Sequence, residues 1–288
     1  MSRVLRHISD EMDEILLHIK NNKHTVTILT LLLLLIWEGV SPFFSFFRHQ
    51  MKKRAHHALR NFLLTILNAF LIYIMFIALW SMAADYAAGQ HIGLLHQFSL
   101  PSWQKALIAV LLFDAWTYWW HRFNHVIPFL WRFHRVHHSD PKMDVTTSNR
   151  FHIGEIFISS VLRIPLIILF GAELWHIALY EALMFPIVQF HHANIGLSPQ
   201  VDRLLRIFIV TPHMHKVHHS RYHKETDSNY TSMLSIWDRV FGSFRLSKDP
   251  STIQLGLEHF DNDNKQSVLG MLTTPVGKEP PAPPSEDS

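Results

Sequence analysis

The residues of this chain best placed to do chemistry are histidines in two matching triples. They are His134-Arg-Val-His137-His138 and His215-Lys-Val-His218-His219, with a pair, His121-Arg-Phe-Asn-His125, just ahead of the first. On a helix, residues i, i+3 and i+4 share one face, so each triple is expected to aim three imidazoles at one point, and the pair two. Eight convergent neutral nitrogen donors exceed what one metal ion takes, since a zinc site uses about four. They suit two metal ions, each with an open position. Imidazole binds iron, copper, zinc and nickel alike, so donor type does not choose the metal. His192, at the same level of the chain's architecture as the clusters, is expected to be a ninth donor. His152, in Asn149-Arg-Phe-His-Ile-Gly-Glu155, suits a ligand and a loop residue equally. His191 and His213 adjoin donors but point elsewhere in a helix, and His223 falls four residues after His219, as an outer partner would.

A histidine-rich site leaves positive charge on its metals, to be offset by bound oxygen species and nearby acids. Asp114 lies seven residues before His121, on the same helical face and alone in an apolar run. An acid at membrane depth is by default a functional residue, and the expected role is to orient a ligand imidazole; the alternative is a helix-end acid reaching water. Asp140, Glu155, Asp227 and Asp238 are weaker candidates for the same work, each expected at the surface. There is no H-E-x-x-H, which disfavours a zincin protease, and no G-x-x-x-x-G-K-[ST] or G-x-G-x-x-G to hold a nucleotide. Nucleic acid is not an expected partner.

The elements that must position these side chains read as membrane helices. Hydrophobic residues make up 48% of the 288, and cysteine is absent. The absence of cysteine removes disulfides, thiolate-held haem and iron–sulfur clusters, and cysteine nucleophiles. Residues 25–47 and 62–84 each supply the roughly 20 apolar positions a crossing needs. They lack the polar stripe of a soluble surface helix. Residues 107–120 form a shorter third run, and 156–190 is too long for one crossing. Gly171 near its middle predicts a helical hairpin that enters and leaves on one side. Between the first two runs, Arg48, Lys52, Lys53, Arg54 and Arg60, with His56 and His57, read as a basic loop facing the cytoplasm. The third run and the hairpin then return every histidine cluster to that face. No secretory signal is expected, because Asp10, Glu11, Asp13 and Glu14 precede any apolar run. The expected fold is all-α, an integral membrane helical bundle under a cytoplasmic histidine-rich helical cap. Its divisions are an N-terminal segment (1–24), transmembrane helices with the basic loop (25–106), a catalytic domain (107–245), and a tail (246–288) disordered from about residue 275.

The clusters, their order and their flanks resemble the fatty acid hydroxylase/sterol desaturase superfamily of integral-membrane two-iron oxygenases, from about residue 114 to 244. The resemblance is carried by Tyr118-Trp-Trp-His121-Arg-Phe-Asn-His125, by Leu130-Trp-Arg-Phe-His134-Arg-Val-His137-His138-Ser-Asp140 and by His192-Ala-Asn194. It continues through Thr211-Pro-His-Met-His215-Lys-Val-His218-His219-Ser220, Asp227-Ser-Asn-Tyr230 and Trp237-Asp-Arg-Val-Phe-Gly242. Ile153, Thr231 and Ser243 depart from residues common in the family. The resemblance implies two iron ions held by the eight box histidines. It also implies O2 as co-substrate and hydroxylation or desaturation of a lipid: a sterol, fatty acyl chain, alkylglycerol or carotenoid. Electrons are expected from a separate ferredoxin- or cytochrome b5-type donor with its reductase. A bacterial inner membrane is the expected location, or the endoplasmic reticulum in a eukaryote. The competing reading is a histidine-rich metal-binding or metal-transport membrane protein, which predicts histidines at several depths along the helices.

Overall fold

The computed structural model describes residues 3–277, and the described residues form helices and turns without a β-strand. In chain order the principal helices are α1 (Arg3–Asn21), α2 (Lys23–Val40), α3 (Met51–Met75), α4 (Ile77–Gly89), α5 (Ser102–Val126), α6 (Pro128–His138), α7 (Ile153–Phe170) and α8 (Leu174–His192). Shorter ones follow: α9 (Pro199–Leu205), α10 (Pro212–His218), α11 (His223–Thr226), α12 (Ile236–Val240) and α13 (Val268–Thr273). Three helices are long and apolar enough to cross a membrane: Lys23–Val40, Met51–Met75 and Ile153–Phe170. Their outward faces carry Leu33, Ile36, Phe70 and Tyr73, each more than 60% exposed, as lipid-facing side chains would be.

Several expected boundaries move. The first run ends at Val40 rather than residue 47, because Pro42 has no N–H to donate and pushes Ser41 out of the helical region (φ −139°, ψ 70°). The second run is divided between α3 and α4 by Phe76 (φ −117°, ψ −28°). The basic loop is shorter than expected: Lys52, Lys53, Arg54, His56, His57 and Arg60 all lie within α3. The run 107–120 belongs to the 25-residue α5, whose Asp114 and Tyr118 are buried in the bundle rather than turned to lipid. The expected hairpin is present as α7 and α8, and Gly171 takes the left-handed conformation (φ 66°) that ends α7. Residues 246–274, expected as a tail, fold back onto the body: Arg135 on α6 donates to the Thr274 carbonyl, and Arg150 to Gln266. The disorder expected from residue 275 concerns mainly 278–288, which lie outside the described residues.

The core between α1, α4, α5, α7 and α8 is built on Trp80, Phe113, Ile167, Leu179 and Tyr180. At one end of this bundle the C-termini of α2, α5 and α8 meet the N-termini of α3 and α7. Glu38, near the end of α2, ties them together. It accepts from the backbone N–H of Val145 and Asn194 at 2.7 and 2.6 Å and pairs with Arg54 of α3 at 2.7 Å. All nine expected donor histidines stand at this end.

Candidate metal centre

Local sequence explains how each donor is presented. Pro128 opens α6 at a position where a missing N–H costs nothing, so His134, His137 and His138 occupy its last turns. Thr211 caps α10 through Met214 N–H, and Pro212 follows it, which starts that helix three residues before His215. His121 and His125 fall in the last two turns of α5, and His192 in the last turn of α8.

The donors gather in two groups. His121, His125, His134, His138 and His218 bring five ring nitrogens within 4.8 Å of one another; His137, His192, His215 and His219 bring four. The groups are neighbours, since the rings of His138 and His219, one from each, stack at 4.4 Å. Each triple is therefore split, where sequence spacing predicts a single focus. At 100° per residue, positions i and i+4 differ by about 40° around the helix, while i+3 falls some 60° on the other side of i. Thus His134 and His138 serve one centre and His137 the other, whereas on α10 His215 and His219 go to the second centre and His218 crosses to the first.

The electrostatics fit cations at both points. Imidazole Nδ1 of His121 donates to the Tyr230 carbonyl at 2.6 Å, and that of His218 to the Ser228 carbonyl at 2.7 Å. Both Nε2 atoms are thereby left as bare lone pairs, yet they lie 3.0 Å apart. Two acceptors at that distance repel unless a positive ion sits between them. His192 likewise donates from Nδ1 to the Val188 carbonyl, with Nε2 at 3.1 Å from His137 Nε2 and 2.9 Å from His215 Nε2. His134 and His125 give Nδ1 to the carboxylates of Glu155 (3.0 Å) and Asp227 (3.2 Å), leaving each Nε2 buried without a partner. Such outer bonds set the tautomer and ring orientation of a metal ligand. Burial first, then neighbouring imidazoles, hold His137, His138, His215 and His219 well below the ordinary histidine range. Burial takes His218 down to about 3. These five rings are neutral at physiological pH, as metal binding requires.

Other expected residues take different places. His152 lies in neither group: its Nδ1 caps α7 by accepting from Gly154 N–H, and its Nε2 donates to the Leu272 carbonyl. Asp114 touches no histidine. Its carboxylate accepts from Trp237 Nε1 (2.8 Å), Leu234 N–H (3.1 Å) and Tyr180 O–H (3.4 Å). Seven residues put it on the face of His121 but about 10 Å along the axis, beyond reach of that ring. Glu155, Asp140 and Asp238, expected at the surface, are buried. Asp238 accepts from the Tyr230 and Thr231 N–H groups and so steadies the carbonyl that holds His121. Asp140 instead binds His57 at 2.8 Å, Thr147 and Arg150. Asp227 remains partly exposed and bonds both His125 and His223. His191 packs edge-on against His215 at 3.9 Å without joining a group, and His213 turns away to the Ser247 carbonyl.

The sequence reading missed His57 and Asn61, which brace the turn Val145–Asn149 after the first triple; Asn61 donates to Thr146 at 2.9 Å. It also missed the carbonyls of Tyr230 and Ser228, which no residue type could have signalled. The clustering of all nine donors at one end is also unlike the spread of depths that a metal-conducting path predicts.

Residues 106–243 match the family model described as fatty acid hydroxylase. An alkylglycerol monooxygenase from Danio rerio is 32% identical over 167 residues, 57% of this chain and 36% of that protein. Ornithine lipid hydroxylase OlsE from Rhizobium tropici is 31% identical over 154 residues, 53% of the chain and 45% of the relative. A cholesterol 25-hydroxylase from Rattus norvegicus is 26% identical over 172 residues, 57% and 54% respectively. The matched stretch thus spans between about a third and a half of these relatives. No solved structure matches the chain.

Proposed function

Because residues 106–243 of this chain match the fatty acid hydroxylase family model, we propose that it is a membrane-bound di-iron oxygenase that hydroxylates a lipid. The observation that carries this reading is the pair of adjacent nitrogen-only centres, five and four imidazoles, with their outer nitrogens tied to carbonyls and carboxylates. In the first centre His121, His125, His134, His138 and His218 would hold one iron ion; His137, His192, His215 and His219 would hold the other. The iron pair would supply dioxygen reduction and the oxidation of an unactivated C–H bond.

The protein's own part is positional. Glu155 and the carbonyls of Tyr230, Ser228 and Val188 keep protons on the outer nitrogens, so the inner ones stay available as donors. Burial of the histidine side chains excludes water from the reacting centre. Phe151 stacks on His137 at 4.5 Å and fixes that ring. One oxygen atom would enter the lipid and the other leave as water, which takes two electrons and two protons from a separate ferredoxin- or cytochrome b5-type donor with its reductase. The curated relatives are named as oxygenases of alkylglycerols, an ornithine lipid and cholesterol, and the shared feature is a lipid C–H bond. Hydroxylation is favoured over desaturation because all three names describe oxygen insertion. The basic first turn of α3, with Lys52 and Lys53 exposed at the histidine end, supports a cytoplasmic active site by the positive-inside rule.

Metal analysis of anaerobically purified protein should give two irons per chain. Lipid extracts of cells with and without the chain should differ by species heavier by one oxygen atom. A single stoichiometric zinc with no iron, or unchanged lipid profiles in iron-replete cells, would overturn the reading.

A further inference from the structure

Beside α10, a cavity of about 330 Å³ that none of the nine donor histidines lines opens between Phe43, Ile195, Arg203, Arg206, Lys216 and Lys248. Its size lies at the lower end of small-ligand pockets, about 300–1,000 Å³. Four cations line it, against one acid, Asp202. That carboxylate is already engaged by Arg206 at 2.6 Å, with His213 at 3.6 Å. Arg203 and Lys248 have no acidic partner among the described residues.

Lys216 is the unusual member. It is 2% exposed, and its Nζ donates to the carbonyls of Ala193 (3.2 Å) and Ile195 (3.1 Å), with the Phe43 ring at 5.1 Å. No carboxylate lies within ion-pair distance of it among the described residues. The surroundings are those of a bilayer boundary. Phe43 follows the end of α2, and α9 and the turn after it expose Val201, Leu204, Ile207 and Phe208 on either side of Arg203 and Arg206. Apolar side chains interleaved with arginine suit the headgroup level of a membrane.

We infer that this cavity binds the phosphate group of a membrane lipid, with Arg203, Lys216 and Lys248 as its cationic contacts. Guanidinium forks and ammonium groups are the usual partners of phosphate oxygens. The site is separate from the donor histidines and does not depend on which reaction they support.

The test uses iron-loaded protein in dodecyl maltoside and three probes: dihexanoyl phosphatidic acid, inorganic phosphate and dihexanoylglycerol. Phosphatidic acid should bind saturably, more tightly than either of the others. The double variant Arg203→Ala/Lys248→Ala should raise its Kd at least about tenfold, with iron content unchanged. Lys216→Met should do the same; should it fail to fold, the double variant decides. An unchanged Kd in the double variant, or dihexanoylglycerol binding as tightly as phosphatidic acid, would overturn the proposal. Inorganic phosphate binding as tightly as the lipid would overturn the lipid source and leave free phosphate as the ligand.

Discussion

At the scale of single residues, what separates a donor from its neighbour is the direction of one ring nitrogen. His215 and His213 are two residues apart, yet His215 Nε2 sits 2.9 Å from His192 Nε2 while His213 reaches the Ser247 carbonyl. Replacing His215, His218 or His219 by alanine should abolish lipid oxidation and lower bound iron, whereas His213→Ala should keep most of both. Iron loss in His213→Ala equal to that in His215→Ala would contradict this assignment. The buried acids divide in the same way. Glu155→Ala frees the outer nitrogen of His134 and should weaken iron binding by about 10–100-fold, read by competition with a chelator. Asp114→Ala should instead leave iron affinity near wild type and lower the thermal midpoint. It strands the Trp237 and Leu234 donors in the core, each at a cost of about 1–3 kcal/mol. Asp114 was placed wrongly from sequence because a helical face says nothing about distance along the axis. Glu155 was undervalued because its partner lies 21 residues away, across the junction of α6 and α7.

At the scale of elements, the α7–α8 hairpin is set by one glycine. Gly171 has φ 66°, and a Cβ there would meet the Ile92 carbonyl oxygen at 3.0 Å and His96 Cδ2 at 2.6 Å. Gly171→Ala should therefore destabilise the protein by more than about 1 kcal/mol. Gly89→Ala, where a Cβ meets nothing within 4 Å, should be neutral or slightly stabilising. Thermal unfolding of the two purified variants in one detergent checks the contrast, and equal midpoints would refute it. This hairpin was legible because a glycine inside a long apolar run has few other uses. The break at Phe76 was not, since no proline, glycine or polar residue marks it and hydropathy continues through it.

At the scale of the whole molecule, the bundle has a histidine end and an opposite end, where Gly93 packs against Gly171. The proposed orientation puts the first in the cytoplasm. Since the chain has no cysteine, single substitutions Lys52→Cys and Gln90→Cys give clean reporters, both positions being exposed. In sealed right-side-out vesicles an impermeant maleimide should label Gln90→Cys at once and Lys52→Cys only after permeabilisation. The reverse pattern would place the metal centre outside.

The sequence by itself determined the donor chemistry. With cysteine absent and histidines repeated at i, i+3 and i+4, a nitrogen-ligated metal site on helices near a membrane surface follows from residue type and periodicity alone. Both are local properties, carried by a few consecutive residues. The partition of nine donors into five and four was decided only by tertiary structure. It depends on how α6 and α10 face each other, so that His218 crosses to the centre of His134 and His138 while His137 joins His215 and His219. The backbone carbonyls that hold the rings, and the fold of residues 246–274 over Arg135 and Arg150, were decided there too. Every amino acid carries a carbonyl, and a contact spanning more than 100 residues leaves no periodic trace in the chain.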